Sequence, residues 1–344
     1  MTRFSLALYA ALMFAAIPDA GAQDPADRYE KVRTIKVGGE GGWDFLEVDA
    51  ANRMLYVTRG TRVVVIDLDT EKTVGEIAET PGVHGIAFVP ALNRGFTCNG
   101  GDSTVTVFDL KSLKTLGKVT ASGRPDIIYY EPISNRVLSF NHGTNDITAI
   151  DPDAMQAVGT LSAGGVPELA VSDDKGRVWV NLMDSSEILQ FDAKTMKVLS
   201  KFSLAPGQTP TGLAFDPKSR KLFSTCNNEM LVIADADSGK VVQTLPIGPG
   251  PDGCVRDIST GLVFTSSGGD GTVAVVHEAS PGTYEVAKTI KTQVSAKTIA
   301  LDPKTHRLYL SAATPEPPPA NADPTQRRRR RYLPDSFVVL VVGE

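Results

Sequence analysis

The chain has 344 residues, with 35 Lys+Arg against 40 Asp+Glu for a net charge of −5, and is 42% hydrophobic and 7% aromatic. That mixture excludes a disordered polyelectrolyte and an apolar membrane bundle. Its slight acidity argues against nucleic acid as a partner, which needs a basic face to neutralise phosphates. The 31 Gly and 22 Pro suit many tight turns and few long helices.

The first residues read as an address. Arg3 supplies a positive start, Phe4 to Ile17 form a short apolar run, Pro18 breaks it, and Ala20-Gly21-Ala22 is a small-x-small cleavage site. Residues 1–22 are therefore expected to be a signal peptide, with the mature chain starting at Gln23. The run is too short to span a bilayer comfortably. With neither a twin-Arg pair nor a Cys after the cut, the expected route is general secretory export to the periplasm or beyond. Left uncleaved, the segment would be an N-terminal anchor that still places the remainder outside the cytoplasm. No later apolar run approaches the ~20 residues of a membrane span.

From residue 46 onward one phrase recurs: an apolar strand, an acidic turn and a second strand, as in LEVDAANRMLYV and LAFDPKSRKLFS. Its turn-opening residues are Asp49, Val89, Glu131, Asp173, Asp216, Asp257 and Asp302, spaced by 40 to 45 positions. A second phrase follows, as in VVVIDLDTEKTVGEI, with its central Asp at 67, 109, 151, 192 and 235. Val, Ile and Phe alternating with polar residues before each Asp is the period-two signature of a strand. Each Asp then opens a turn by accepting hydrogen bonds from nearby backbone N–H groups, a structural role.

Each unit thus reads as four antiparallel strands in about 42 residues, the period of a propeller blade. Seven units follow, and the last strand of the seventh is supplied from the other end of the chain: VRTIKVGG (32–39) is expected to pair with SFVVLVV (336–342). The fold class is all-β, a seven-bladed β-propeller closed by an N-terminal strand, with residues 23–344 as one domain.

Strand parity places the positions entering each first strand at one mouth of the central channel. They are Asp44, His84, Asp126, Glu168, Thr211, Asp252 and Lys297, and the loop after the second strand of blade three adds Asn141 and His142. Carboxylates beside imidazoles suit a divalent metal or a cationic ligand. A hydrated polar rim is the alternative. His277, one repeat after Asp235, is expected in a turn, and His306 in a turn at the opposite end. The signatures GxSxG, HExxH, CxxCH and the P-loop are absent. Cys98, Cys226 and Cys254 match neither a redox nor a zinc spacing. Cys226 and Cys254 fall in consecutive repeats and could meet, or all three could be buried apolar side chains. Residues 314–335 read as a Pro- and Arg-rich loop inserted in the last blade. Its run Arg327, Arg328, Arg329, Arg330 and Arg331 could dock an anionic surface or simply be solvated.

LYVT (55–58) with VVVIDLDT (63–70) resembles the YVTN-repeat, YncE-like group of exported seven-bladed β-propellers, over roughly residues 30–344. The WD40 pattern fits less well, because Trp43-Asp44 opens a strand rather than closing one and the Gly-His dipeptide is missing. The resemblance implies a bacterial extracytoplasmic binding or scaffold protein without established catalysis. Members are linked to DNA binding, which the acidity of this chain does not support. The expected function is a monomeric, non-enzymatic propeller recognising a protein or small ligand at its face. It is expected to need no cofactor, unless a divalent metal sits at the mouth. The alternative is a metal-dependent hydrolase or lactonase-like propeller using that acidic mouth.

Overall fold

The recurring acids fix the turns. Asp67 Oδ1 accepts from the N–H groups of Asp69 (3.0 Å) and Thr70 (2.7 Å), and Asp109 Oδ1 from Lys111 (3.1 Å) and Ser112 (2.7 Å). These hydrogen bonds hold both carboxyls below the usual carboxylate range. Asp49, Asp216 and Asp302 likewise accept from Asn52 (3.1 Å), Lys218 (2.8 Å) and Lys304 (3.0 Å). Blade two, with Val89 in place of the acid, turns through a short 3-10 segment, Pro90–Leu92, that ends on left-handed Asn93. A turn pinned at a fixed place sets the register of the strands that flank it.

The computed structural model describes residues 25–30, 32–317 and 331–343. The proposed signal peptide and Arg327 to Arg330 lie outside the described residues, and Arg331 is exposed. The strands form seven four-stranded antiparallel sheets, the first six each running outward in chain order from an innermost first strand. The seventh is shared by both ends of the chain. Val32–Lys36 forms its outer edge, paired from Val32↔Val342 to Lys36↔Val338, ahead of Leu308–Ala312 and the innermost Ile299–Leu301. Tyr29, fully buried, packs its ring at a tilt against Phe264 of blade six, with centroids 4.7 Å apart, and Ile35 joins the core between blades seven and one.

Seven apolar clusters fill the spaces between neighbouring blades. For this reason the third strands do not show the half-buried alternation their sequences suggest. In Thr104–Asp109 the interior polar residue Thr106 is as buried as Val105 and Val107, because each middle strand is covered on both faces.

Two expectations are corrected. His277 is not in a turn: the third strand of blade six runs on through Thr272–Ser280, and His277 Nε2 sits 2.9 Å from Glu285 Oε1 across the hairpin. Asn141 does not reach the rim; it is buried, donating to Asp146 Oδ1 (2.8 Å) and Thr148 Oγ1 (3.0 Å). Of the two readings open for the cysteines, the buried one holds, and Cys226 and Cys254 do not bridge. All three cysteines are free and buried, Cys226 in the core between blades four and five and Cys254 in the next one, with burial pushing every thiol up. The inserted loop of blade seven is zipped at its base, where Pro315 pairs with Tyr332 and the Glu316 N–H donates to Arg331 O at 2.9 Å. Among the described residues no helix is long and apolar enough to cross a membrane.

The seven first strands enclose a channel of about 730 Å³, walled by Phe88, Leu169, Leu213 and Phe215 among others. Glu47 points into it. Its side chain is exposed to the channel, and the ring of strands around that narrow space desolvates the carboxyl and pushes it up to about 7. A carboxyl raised in the folded state binds its proton more tightly there than in the unfolded chain. Its contribution therefore favours folding near pH 4.5 and is lost as pH rises toward 7. Glu47→Gln should raise the melting temperature at pH 7.5 and leave it nearly unchanged at pH 4.5. Equal effects at the two pH values would contradict this assignment.

Candidate functional site

The backbone aims the mouth residues inward by breaking the ladder where each first strand begins. In blades two to six the pairing slips between Val83 and Ile86, Pro125 and Ile127, Pro167 and Ala170, Pro210 and Leu213, and Pro251 and Gly253. His84, Asp126, Glu168, Thr211 and Asp252 occupy those slips, where a bulge redirects a side chain. Pro at the first strand position costs no ladder hydrogen bond there. Small residues then let adjacent blades close in. A Cβ at Gly85 would lie 2.9 Å from Asp126 O, and one at Gly212 only 2.7 Å from Cys254 N. Close approach of the first strands is what brings the carboxylates and imidazoles of different blades within bonding distance.

The result is a belt around the mouth. Lys297 Nζ bridges Asp252 Oδ2 (2.7 Å) and Asp44 Oδ1 (2.9 Å), while His84 Nδ1 bridges Asp44 Oδ2 (2.6 Å) and Asp126 Oδ1 (2.9 Å). His142 Nε2 then lies 3.2 Å from Asp126 Oδ2 and 2.6 Å from Glu168 Oε2. Thr211, buried in blade five, donates to Pro251 O at 3.0 Å and so spans toward blade six. Every candidate the sequence placed at this mouth, Asn141 excepted, is brought together here.

The charges tune one another. Burial alone would raise Asp44, but the Lys297 ammonium and the hydrogen-bonded His84 outweigh it and hold that carboxyl well below the usual range. Burial would lower His84, yet Asp126 and Asp44 overcome it and lift the imidazole to about 10, so it is cationic at neutral pH. His142 is raised by Glu168 and Asp126 against its own burial, and Asp252 and Glu168 are pushed up chiefly by desolvation.

The two histidines differ in one respect. His84 Nδ1 makes an aligned hydrogen bond to Asp44. His142 Nε2 and Glu168 Oε2 are close but out of line, and both atoms are buried without a hydrogen-bond partner among the described residues. Asp44, His84 and Asp126, and again Asp126, His142 and Glu168, each gather three ligand atoms within 4.8 Å of one another. The second trio opens on a cavity of about 370 Å³ that is also lined by Met183, Thr211, Asn227 and Asp252.

Beside the mouth lies a feature that repeat reasoning missed. Arg59, 1% exposed, ends the second strand of blade one where blades two and three carry Asn99 and Asn141. Its guanidinium donates to the carbonyls of Gly38, Gly39, Glu40, Gly41 and Gly42 and lies 3.9 Å over the Phe337 ring. Trp43 packs on Tyr332 (4.5 Å) and Phe337 (5.3 Å), forming with Lys297 and Ser295 one wall of a cleft of about 450 Å³. A charged residue at an Asn position, in the same blade that the GGEGG segment (38–42) leads into, was the available signal.

At the far end of the channel the ionic groups clasp turns and neighbouring blades. Arg53 reaches Asp302 (2.6 Å), Arg256 reaches Asp216 (3.0 Å), and His306 Nδ1 lies 2.6 Å from Asp257 Oδ2. His306 is thus in a turn at the opposite end, as its sequence position indicates.

No known family profile matches the chain, and no curated protein does. Among solved structures it is similar to Kuenenia stuttgartiensis hydrazine synthase, at 16% identity and TM-score 0.71, covering 80% of this chain and 94% of that one. It is also similar to a chain of a mitotic checkpoint complex, at 16% identity and TM-score 0.71, covering 88% and 96% respectively. A third match is U3-55K, at 9% identity and TM-score 0.76, covering 91% and 98%. At these identities the likeness shows the fold, and the chain is a seven-bladed β-propeller.

Proposed function

We propose that the protein is an exported, non-enzymatic binding propeller of the YncE-like kind, monomeric and extracytoplasmic, which takes a small ligand or a protein partner at the mouth carrying Asp44, His84, Asp126, His142, Glu168 and Asp252. One observation carries the reading: the ionic belt at this end opens on the 370 Å³ cavity, whereas the far-end groups are engaged in holding turns and blades. The charge–apolar–small pattern of residues 1–22 supports export. The acidic balance disfavours nucleic acid as the partner.

A photo-crosslinking residue at Met183, which lines the cavity, should capture a defined adduct in the extracytoplasmic fraction of the native source. The same residue at Lys218, an exposed turn position at the far end, should capture none. Adducts at 218 with none at 183 would contradict the proposal. A second reading, a metal-dependent hydrolase or lactonase-like propeller, is favoured by the unpaired contact of His142 with Glu168. Turnover of lactone or ester substrates by zinc-loaded protein would support it.

A further inference from the structure

We infer that Asp126, His142 and Glu168 form a divalent transition-metal site with an open coordination position, an inference that rests on reading this mouth as the ligand-binding end. Two observations converge. The first is the donor set: one imidazole nitrogen and two carboxylate oxygens from two adjacent blades, held on a rigid scaffold. The second is the lack of hydrogen bonds at its centre. Glu168 is 5% exposed, and its Oε2 lies 2.6 Å from His142 Nε2, yet neither atom makes an aligned hydrogen bond among the described residues. Buried polar atoms without partners are costly, so a group that accepts both lone pairs stabilises the site.

The spacing fits such a group. A tetrahedral zinc ion, with ligand bonds of about 2.0–2.2 Å, separates neighbouring donors by about 3.3 Å. His142 Nε2 already stands 3.2 Å from Asp126 Oδ2, and the 2.6 Å contact with Glu168 needs to widen by about 0.7 Å, a shift that side-chain torsions can supply. The neighbouring trio of Asp44, His84 and Asp126 is the less suitable host, because its imidazole already makes an aligned hydrogen bond to Asp44. That trio supports the first: His84 holds Asp126 Oδ1 at 2.9 Å and leaves Oδ2 facing the site. Three protein ligands with a fourth position facing a cavity is the arrangement by which zinc accepts an exogenous donor atom. The cavity and Lys297 at its edge suit a small ligand bearing an anionic oxygen. The imidazole favours zinc over magnesium, which prefers all-oxygen, largely hydrated sites.

Untagged full-length protein, stripped with chelator, should bind one Zn²⁺ per chain by calorimetry and by metal analysis after desalting, with excess Mg²⁺ failing to compete. His142→Ala and the isosteric Glu168→Gln should each weaken binding more than about 100-fold. Asp44→Asn, acting through His84, should weaken it by about 10-fold. His277→Ala, on the outer part of blade six, should bind zinc as the parent does. Circular dichroism and melting curves identify any variant that has not folded, and Glu168→Gln provides the test if His142→Ala fails that check. Absence of stoichiometric zinc in the folded parent, or undiminished binding by Glu168→Gln, would overturn the inference. Crosslinking at Met183 would then still report on the mouth as a binding end, so failure of the metal and failure of the site are distinguishable.

Discussion

Deleting residues 29–37 should lower the melting temperature of the entire propeller by about 10 °C or more. The deletion removes the outer strand of blade seven, with its five paired positions, and two large side chains from the core, Tyr29 and Ile35. Losing a buried aromatic or aliphatic side chain costs about 2 to 5 kcal/mol each. A total of about 5 kcal/mol or more converts to that shift at about 2–4 °C per kcal/mol for a large domain. It also leaves the strand Val338–Val342 as an unpaired edge, so aggregation on heating should rise. Closure acts on the ring as a whole because blade seven packs against both blade six and blade one. A truncated protein that melts with the full chain would contradict this role for the N-terminal strand.

Arg59→Ala should cost about 3 kcal/mol or more and loosen the segment from Gly38 to Trp43. Left-handed backbone at Gly38, Gly39 and Gly41 (φ 64°, 71° and 103°) curls successive carbonyls toward one point, a path that glycine adopts with little strain. The guanidinium fills that point with five hydrogen bonds, the shortest at 2.7 Å to Gly39 O and Gly41 O. Burial, with the nearby Arg62 charge adding to it, lowers Arg59 to about 10, still cationic at neutral pH. Removing it takes a charged donor from five carbonyls at once and empties the buried guanidinium site; hydrogen bonds to a charged group contribute about 1.5–3 kcal/mol each before water and relaxation compensate. Arg59→Lys should recover little, because an ammonium cannot reproduce the planar fork. Hydrogen exchange should speed up in residues 38–43 and in the Tyr332–Phe337 stretch that packs against them, with the outer strands of blades three to five unchanged. A loss under about 1 kcal/mol, or unaltered exchange at 38–43, would contradict this account.

The extent to which the sequence foretells the structure follows from what repeats. A turn acid such as Asp67 or Asp216 is bonded to its own backbone, so its effect is local and recurs with the blade. Counting the phrase those acids anchor, with Val89 standing in once, therefore yields seven blades, and counting its strands yields the shared last sheet. Strand parity brings His84 to Asp44 and Asp126, because the positions entering the first strands share one mouth, where bulges in blades two to six turn their side chains inward. What breaks the repeat escapes it. His277 leaves the expected turn because the hairpin of blade six is longer, reversing at Pro281-Gly282, so the third strand passes the turn position. Asn141 satisfies its amide inside blade three instead of reaching the rim. Arg59 and Glu47 depend on contacts across the ring and along the channel, which no spacing within one repeat encodes. The difference between His84 and His142 is one of alignment, set by how two side chains meet, and lies below what residue type and position convey.

The most direct test of the proposed mouth site is zinc-edge anomalous diffraction from crystals soaked in Zn²⁺. A single strong peak is predicted within about 2.2 Å of His142 Nε2, Glu168 Oε2 and Asp126 Oδ2 together. A peak only at the outer pair of His277 and Glu285, or at His306 and Asp257 on the far end, with none at the mouth, would contradict it.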